Sequence, residues 1–186
     1  MNQSRNTDEI LIRPAEVCED SRGGADAIAI AAIYDHYVRN TCITFDETSP
    51  DALHFAERIE NAGRHPWLVA CDSGNRVLGY AMATPHSPRS AYRYAANVTI
   101  YLDHQSVGRG IGMRLTGCLL DQMRQQGFRM AISGITLPNP RSRRLHEKLG
   151  FTVVGVYPRV GFKFGEWLDT LWLTLDLQND NFEPRW

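Results

Sequence analysis

The sequence predicts an α/β domain in which helices flank a mixed central sheet, and three observations carry that prediction. Short stretches rich in β-branched and aromatic residues alternate along the chain with stretches of helical spacing. One such strand, 97–102, runs through Val107-Gly108-Arg109-Gly110-Ile111-Gly112 into a helical pattern with Ile111, Leu115, Leu119 and Met123 four apart. A second strand–helix–strand pass follows it. Two such crossings predict neighbouring parallel strands, with a ligand crevice at their carboxyl ends.

Taken in order, residues 1–9 are a polar tail without the apolar run of a signal peptide. Residues 10–13 are a short strand stopped by Pro14. From 24 to about 38, Ile28, Ala31, Ala32 and Tyr34 give a helix with a wide apolar side. Residues 41–46 form a loop carrying Phe45. Ser49-Pro50 opens the next helix, a capping hydroxyl followed by proline at the first helical position. Its predicted buried stripe is Leu53, Ala56 and Ile59, and it ends near Gly63. Strands 67–71 and 77–84 form a hairpin turned at Asp72-Ser73-Gly74-Asn75, and 85–93 is a loop of mixed polar and aromatic character.

Residues 130–137 are the next strand. Pro138-Asn139-Pro140 interrupts the backbone ahead of a short helix over 142–149, closed by Gly150. A strand at 151–157, a turn at 161–165 and a final strand at 168–177 complete one expected domain, 10–177, and 178–186 is a loose polar tail.

Composition narrows the function. A chain of 186 residues with 43% hydrophobic content builds a core without a staple. Its net charge of −1 argues against a nucleic-acid partner, which demands a basic surplus. No apolar run approaches the length that spans a membrane. Cys18, Cys42, Cys71 and Cys118 are scattered, with no Cys-x-x-Cys pair and no histidine at ligand spacing. Reduced thiols in a cytoplasmic enzyme, and no metal site, are expected.

The glycine turn carries the clearest chemistry. Gly108, Gly110 and Gly112 clear Cβ atoms from one side of the chain, so backbone N–H groups at a helix start can approach an anion. A phosphate or pyrophosphate is the expected ligand. A merely tight turn uses the same glycines.

Together with Asn139 and the run Leu145-His146-Glu147-Lys148-Leu149-Gly150-Phe151, this turn resembles the GNAT superfamily of N-acetyltransferases. Thr44-Phe45, Tyr92 and Gly161-Phe162-Lys163-Phe164-Gly165-Glu166-Trp167-Leu168-Asp169 resemble its phosphinothricin acetyltransferase branch, whose acceptors include methionine sulfoximine and sulfone. The likeness extends over about 10–177. It implies a sheet of about seven strands, splayed between the fourth and fifth and flanked by about four helices.

The resemblance further implies acetyl-CoA as co-substrate, with its pyrophosphate on Gly108, Arg109, Gly110, Ile111, Gly112 and Met113. Its pantetheine arm would pair along Ile100, Tyr101 and Leu102, and Asn139 would hydrogen-bond it. Arg141, Arg143, Arg144 and Lys148 either meet the phosphates or form a solvated basic face. Phe45, Arg89 and Tyr92 match positions lining the acceptor pocket, where an arginine fork suits a carboxylate or phosphinate. As ordinary residues they read as a surface arginine and two packing aromatics. Ser87 stands where the branch has a second basic residue, which weakens the match to a phosphinate.

His146 matches the residue that returns a proton to the CoA sulfur; on its own it reads equally as a packed helix histidine. Val107 replaces the usual first basic or amide residue of the turn. Asn97 stands where the branch carries a glutamate base, and an amide cannot take that proton. Either Asn97 only positions a water while the amine deprotonates in bulk, or another group such as Glu47, Glu166 or His146 is the base, or turnover is poor. The implied activity is acetyl transfer to the primary amine of a small amino-acid-like acceptor by direct attack in a ternary complex. The other reading is an acyl-CoA-binding protein with little turnover. A homodimer is usual for the branch, with 161–167 near its interface. No role is assigned to His36, His54, His65, His86 or His104.

Overall fold

Seven strands form one mixed sheet in the computed structural model, which describes residues 10–17 and 23–178. In chain order the elements are β1 (Leu11–Pro14), α1 (Ala25–Asn40), α2 (Ala52–Glu60), β2 (Trp67–Cys71), β3 (Val77–Pro85), β4 (Ala95–Leu102), α3 (Ile111–Gln125), β5 (Met130–Thr136), α4 (Pro140–Lys148), β6 (Thr152–Lys163) and β7 (Glu166–Asp176). Single 3-10 turns at Ser90–Tyr92 and His104–Ser106 bracket β4. The sheet order is β1-β2-β3-β4-β5-β7-β6.

Every neighbouring pair is antiparallel except β4–β5. The crossing through α3 therefore makes adjacent parallel strands, as expected. The crossing through α4 does not: β7 lies between β5 and β6. The 163–166 turn joins β6 and β7 as a hairpin, and β7 is the member that docks beside β5.

Both faces of the sheet are covered over β2–β4. On one, α3 buries Ile111, Leu115, Leu119 and Met123 against Leu68, Ala70, Ala81, Val98 and their neighbours. On the other, α1 and α2 pack Ala27, Ile30, Ile33 and Phe55 on Trp67, Val69, Tyr80 and Tyr101. Residues of β2 alternate between these two clusters, which is why that strand reads as a continuous apolar run and is wholly buried. Arg13 grips the Asp26 carboxylate with two hydrogen bonds, 2.5 and 3.0 Å, tying β1 to the first turn of α1.

Several local expectations are corrected. In α1 the buried face is Ala27, Ile30 and Ile33, whereas Ile28 and Ala32 point outward. That helix is apolar nearly all round, so periodicity alone did not orient it. In α2 the cap is Asp51, not Ser49, because its carboxylate accepts from the His54 N–H at 2.9 Å. Phe55 is buried there and Leu53 is exposed. The strand expected at 151–157 runs on to Lys163, so Gly161 lies in a strand and only Phe164 and Gly165 turn. Gln178 is anchored, donating from Nε2 to the Phe128 and Arg124 carbonyls at 2.9 and 3.1 Å. The remainder of that expected tail, and the one at 1–9, lie outside the described residues. No described helix is long and apolar enough to cross a membrane.

Candidate active site

The site begins where the sheet comes apart. Pairing between β4 and β5 stops after Ala95↔Met130, Ala96↔Ala131 and Asn97↔Ile132. Beyond Asn97 the strands diverge, and the β5-facing edge of 98–102 loses its ladder partner. The gap holds a cavity of about 50 Å³ lined by Val98, Thr99, Ile100, Tyr101, Ser133 and His146, among others. It adjoins a cleft of about 680 Å³, with Ile43, Ile100, Tyr101, Asn139 and Ser142 lining both.

The glycine turn forms the far wall of that cleft. Gly108 and Gly110 have φ of 91° and 78°, a region side chains avoid, and a Cβ on either would meet nothing. They are glycine for backbone shape. Gly112 is glycine for space: its Cβ would lie 2.9 Å from a Leu145 methyl. The first intrahelical bond of α3 is Arg114 N–H to Gly110 C=O, and Gly110 has no side chain to cap the amides before it. Asp51 and Asn139 cap α2 and α4. The N–H groups of Ile111, Gly112 and Met113 thus begin α3 without a side-chain cap, beside a cleft lined by Gly108, Gly110, Gly112 and Met113. Arg141, Arg144 and Lys148 of α4 add positive charge to the opposite wall. Arg143 does not join them, as it pairs with Glu147 at 2.7 Å.

Of the remaining expected cofactor residues, Ile100, Tyr101 and Leu102 line the cleft. Ile111 sends its side chain into the core, so only its backbone serves the turn. Arg109 is exposed on the turn. Asn139 accepts from Ser142 N–H at 3.1 Å through Oδ1, leaving its amide nitrogen to donate into the cavities it lines.

His146 is buried, with Nδ1 2.8 Å from the Ser142 carbonyl oxygen and its ring edge-on to Phe151. A carbonyl only accepts, so Nδ1 carries the hydrogen and Nε2 of the neutral ring is a lone pair. Burial pushes its pKa down, opposed by that carbonyl. A neutral, accepting imidazole is a poor proton donor to sulfur, which counts against the acid role expected for it.

The residues expected for the acceptor are more open. Phe45, Arg89 and Tyr92 lie outside both cavities, and among the described residues no hydrogen bond or ring contact joins Phe45 to the other two. The Phe45 loop is nonetheless held firmly. Lys163 donates to the Thr44 carbonyl at 2.9 Å, and Tyr34 donates to Asp46 and meets the Thr44 hydroxyl, each at 2.6 Å. Burial pushes the Lys163 ammonium down and the Tyr101 phenol up to about 12. Asn97 donates to the Pro85 carbonyl at 3.4 Å and meets His86 Nδ1 through Oδ1 at 3.0 Å. Sequence reasoning missed His86; the cross-strand register Thr84↔Asn97 was the signal that brings the two together.

Comparison with known proteins agrees with this geometry. Residues 30–151 match the acetyltransferase (GNAT) family. The chain is 36% identical to the phosphinothricin N-acetyltransferase of Streptomyces coelicolor, over 89% of this chain and 95% of that one. It is 34% identical to the L-methionine sulfoximine/L-methionine sulfone acetyltransferase of Pseudomonas aeruginosa, over 87% and 95%. The crystal structure of a GNAT superfamily phosphinothricin acetyltransferase from Sinorhizobium meliloti, in complex with acetyl-CoA, superimposes with a TM-score of 0.84. That pair is 33% identical and covers 94% of this chain and 96% of the other. By its split sheet, its uncapped α3 and these relatives, the chain belongs to the GNAT family of acetyltransferases.

Proposed function

We propose that the protein moves an acetyl group from acetyl-CoA to the primary amine of a small amino-acid-like acceptor, by direct attack in a ternary complex. The observation that carries this reading is the continuity of uncapped α3 amides, basic α4 wall and opened β4 edge along one cleft. The diphosphate belongs on the N–H groups of 111–113, flanked by Arg141, Arg144 and Lys148. The pantetheine amides fit the free edge of 98–102 as a short extra strand, with the Asn139 amide nitrogen beside it. A main-chain N–H of β4 in that gap would polarise the thioester carbonyl.

Arg89, which makes no ion pair among the described residues, is the group for the acceptor's carboxylate, with Phe45 and Tyr92 as aromatic walls. Phosphinothricin, methionine sulfoximine and methionine sulfone are the first acceptors to try, since relatives carry those names. Incubation with acetyl-CoA and a panel of amino acids and these analogues, read by thiol release and product mass, tests the reading. Acetylated product supports it. Tight acetyl-CoA binding without product would instead support the acyl-CoA-binding alternative, which rests on the amide at Asn97.

We also infer a homodimer. On the edge strand β6, its turn and the start of β7, Val153, Val154, Val156, Tyr157, Val160, Phe162, Phe164 and Trp167 are all exposed. An apolar surface of that extent is a partner-binding feature, and a second copy is the occupant the branch resemblance supplies.

A further inference from the structure

We propose that His86 is the general base of the acetyl transfer and that Asn97 is its positioning residue. The inference deepens the acetyltransferase reading above and rests on it. Asn97 is oriented from both ends of its amide. Its Nδ2 donates to the Pro85 carbonyl, which leaves Oδ1 to accept from His86. His86 Nδ1 therefore carries the hydrogen, and Nε2 presents a lone pair. Tyr92 packs across the imidazole at 5.4 Å and 64°, so the ring is held between a strand and the 90–92 turn.

Its position suits the task. Asn97 is the last β4 residue paired with β5, so its His86 partner stands beside the start of the gap, outside the lining of the two cavities. Thr99, two residues on and about 7 Å along the same face of the strand, lines the cavity. Proton transfer from an acceptor in the gap to such a base would run through water. His146 is the other imidazole of the site, but it is buried and shifted away from carrying charge. The groups in contact with His86 are Asn97 from β4 and Tyr92 from the turn; the nearest cations in sequence are Arg89 and Arg93. No carboxylate forms a hydrogen bond or ion pair with it among the described residues.

The step balances without a further reactant. The acceptor's ammonium passes one proton, through water, to Nε2. The freed amine forms a C–N bond to the thioester carbonyl carbon, and the C–S bond then breaks with its electron pair moving to sulfur. The amine's second proton goes to that sulfur, CoA leaves as the thiol, and the imidazolium releases its proton to solvent.

The test begins with the intact protein and its best acceptor. If no amine is acetylated, the acetyltransferase reading falls and this inference with it. With turnover established, His86→Gln keeps a donor for Asn97 but no basic nitrogen. Its kcat at pH 7 should fall about 100-fold or more, with acetyl-CoA affinity and thermal unfolding unchanged. Asn97→Asp sets an anion against the Nδ1–H, so the acid limb of the pH–rate profile should move up by about one unit. A His86→Gln enzyme with the parent's kcat and profile would overturn the inference. So would an Asn97→Asp limb that moves to lower pH, since the new carboxylate would then be the base.

Discussion

His146 shows how one residue's surroundings decide its chemistry. A helix carbonyl holds Nδ1 and the core surrounds the ring, so the folded protein binds a proton there less readily than the unfolded chain does. The sign follows directly. From about pH 6.5 downward the unfolded state takes up more protons, and stability falls until the folded ring also titrates. Partly buried His65 acts in the same direction. Replacing His146 with Asn should flatten the loss of stability between pH 6.5 and 5.5 by up to about 1.4 kcal/mol per unit. Urea unfolding at several pH values checks this, and parallel slopes in both proteins would contradict it. The neighbouring polar pair was hidden for a different reason. His86 and Asn97 are eleven residues apart in sequence and meet only through the β3–β4 register.

Among elements, α3 was readable in full because a single stripe faces a single sheet surface; Ile111, Leu115, Leu119 and Met123 are all completely buried. The strand before it and the glycine turn were legible for the same reason, since local sequence and tertiary role agree. In α1 and α2 they do not. Apolar residues surround α1, and in α2 a single aromatic, Phe55, against Trp67 and Tyr80 outweighs the Leu53 pattern. The place of β7 between β5 and β6 is a choice between two strands of one hairpin, which no local signal makes. That hairpin also supports the Phe45 loop. A Cβ at Gly161 would lie 2.3 Å from the Phe45 ring, so Gly161→Ala must displace it. The variant should lose about 1–3 kcal/mol of stability and raise KM for the acceptor, while acetyl-CoA affinity stays the same. Calorimetry and steady-state kinetics separate these effects, and an unchanged acceptor KM would remove Phe45 from the pocket.

At the scale of the whole molecule, the chain has two unfinished surfaces. One is the outer hairpin. Sedimentation should find a dimer, and Trp167→Glu or Val154→Glu should make it monomeric; a parent that sediments as a monomer would refute the homodimer. The other is the split in the sheet beside the uncapped start of α3; in the function proposed above, an extended acetyl-CoA would supply the strand that β5 withholds and rest its diphosphate on those amides. The most direct test of that arrangement is an amide NMR titration with acetyl-CoA. The largest shifts should fall on the N–H groups of Gly110, Ile111, Gly112 and Met113, with a second group along 98–102. Saturating, productive binding of acetyl-CoA that leaves the 110–113 amides unmoved would contradict it.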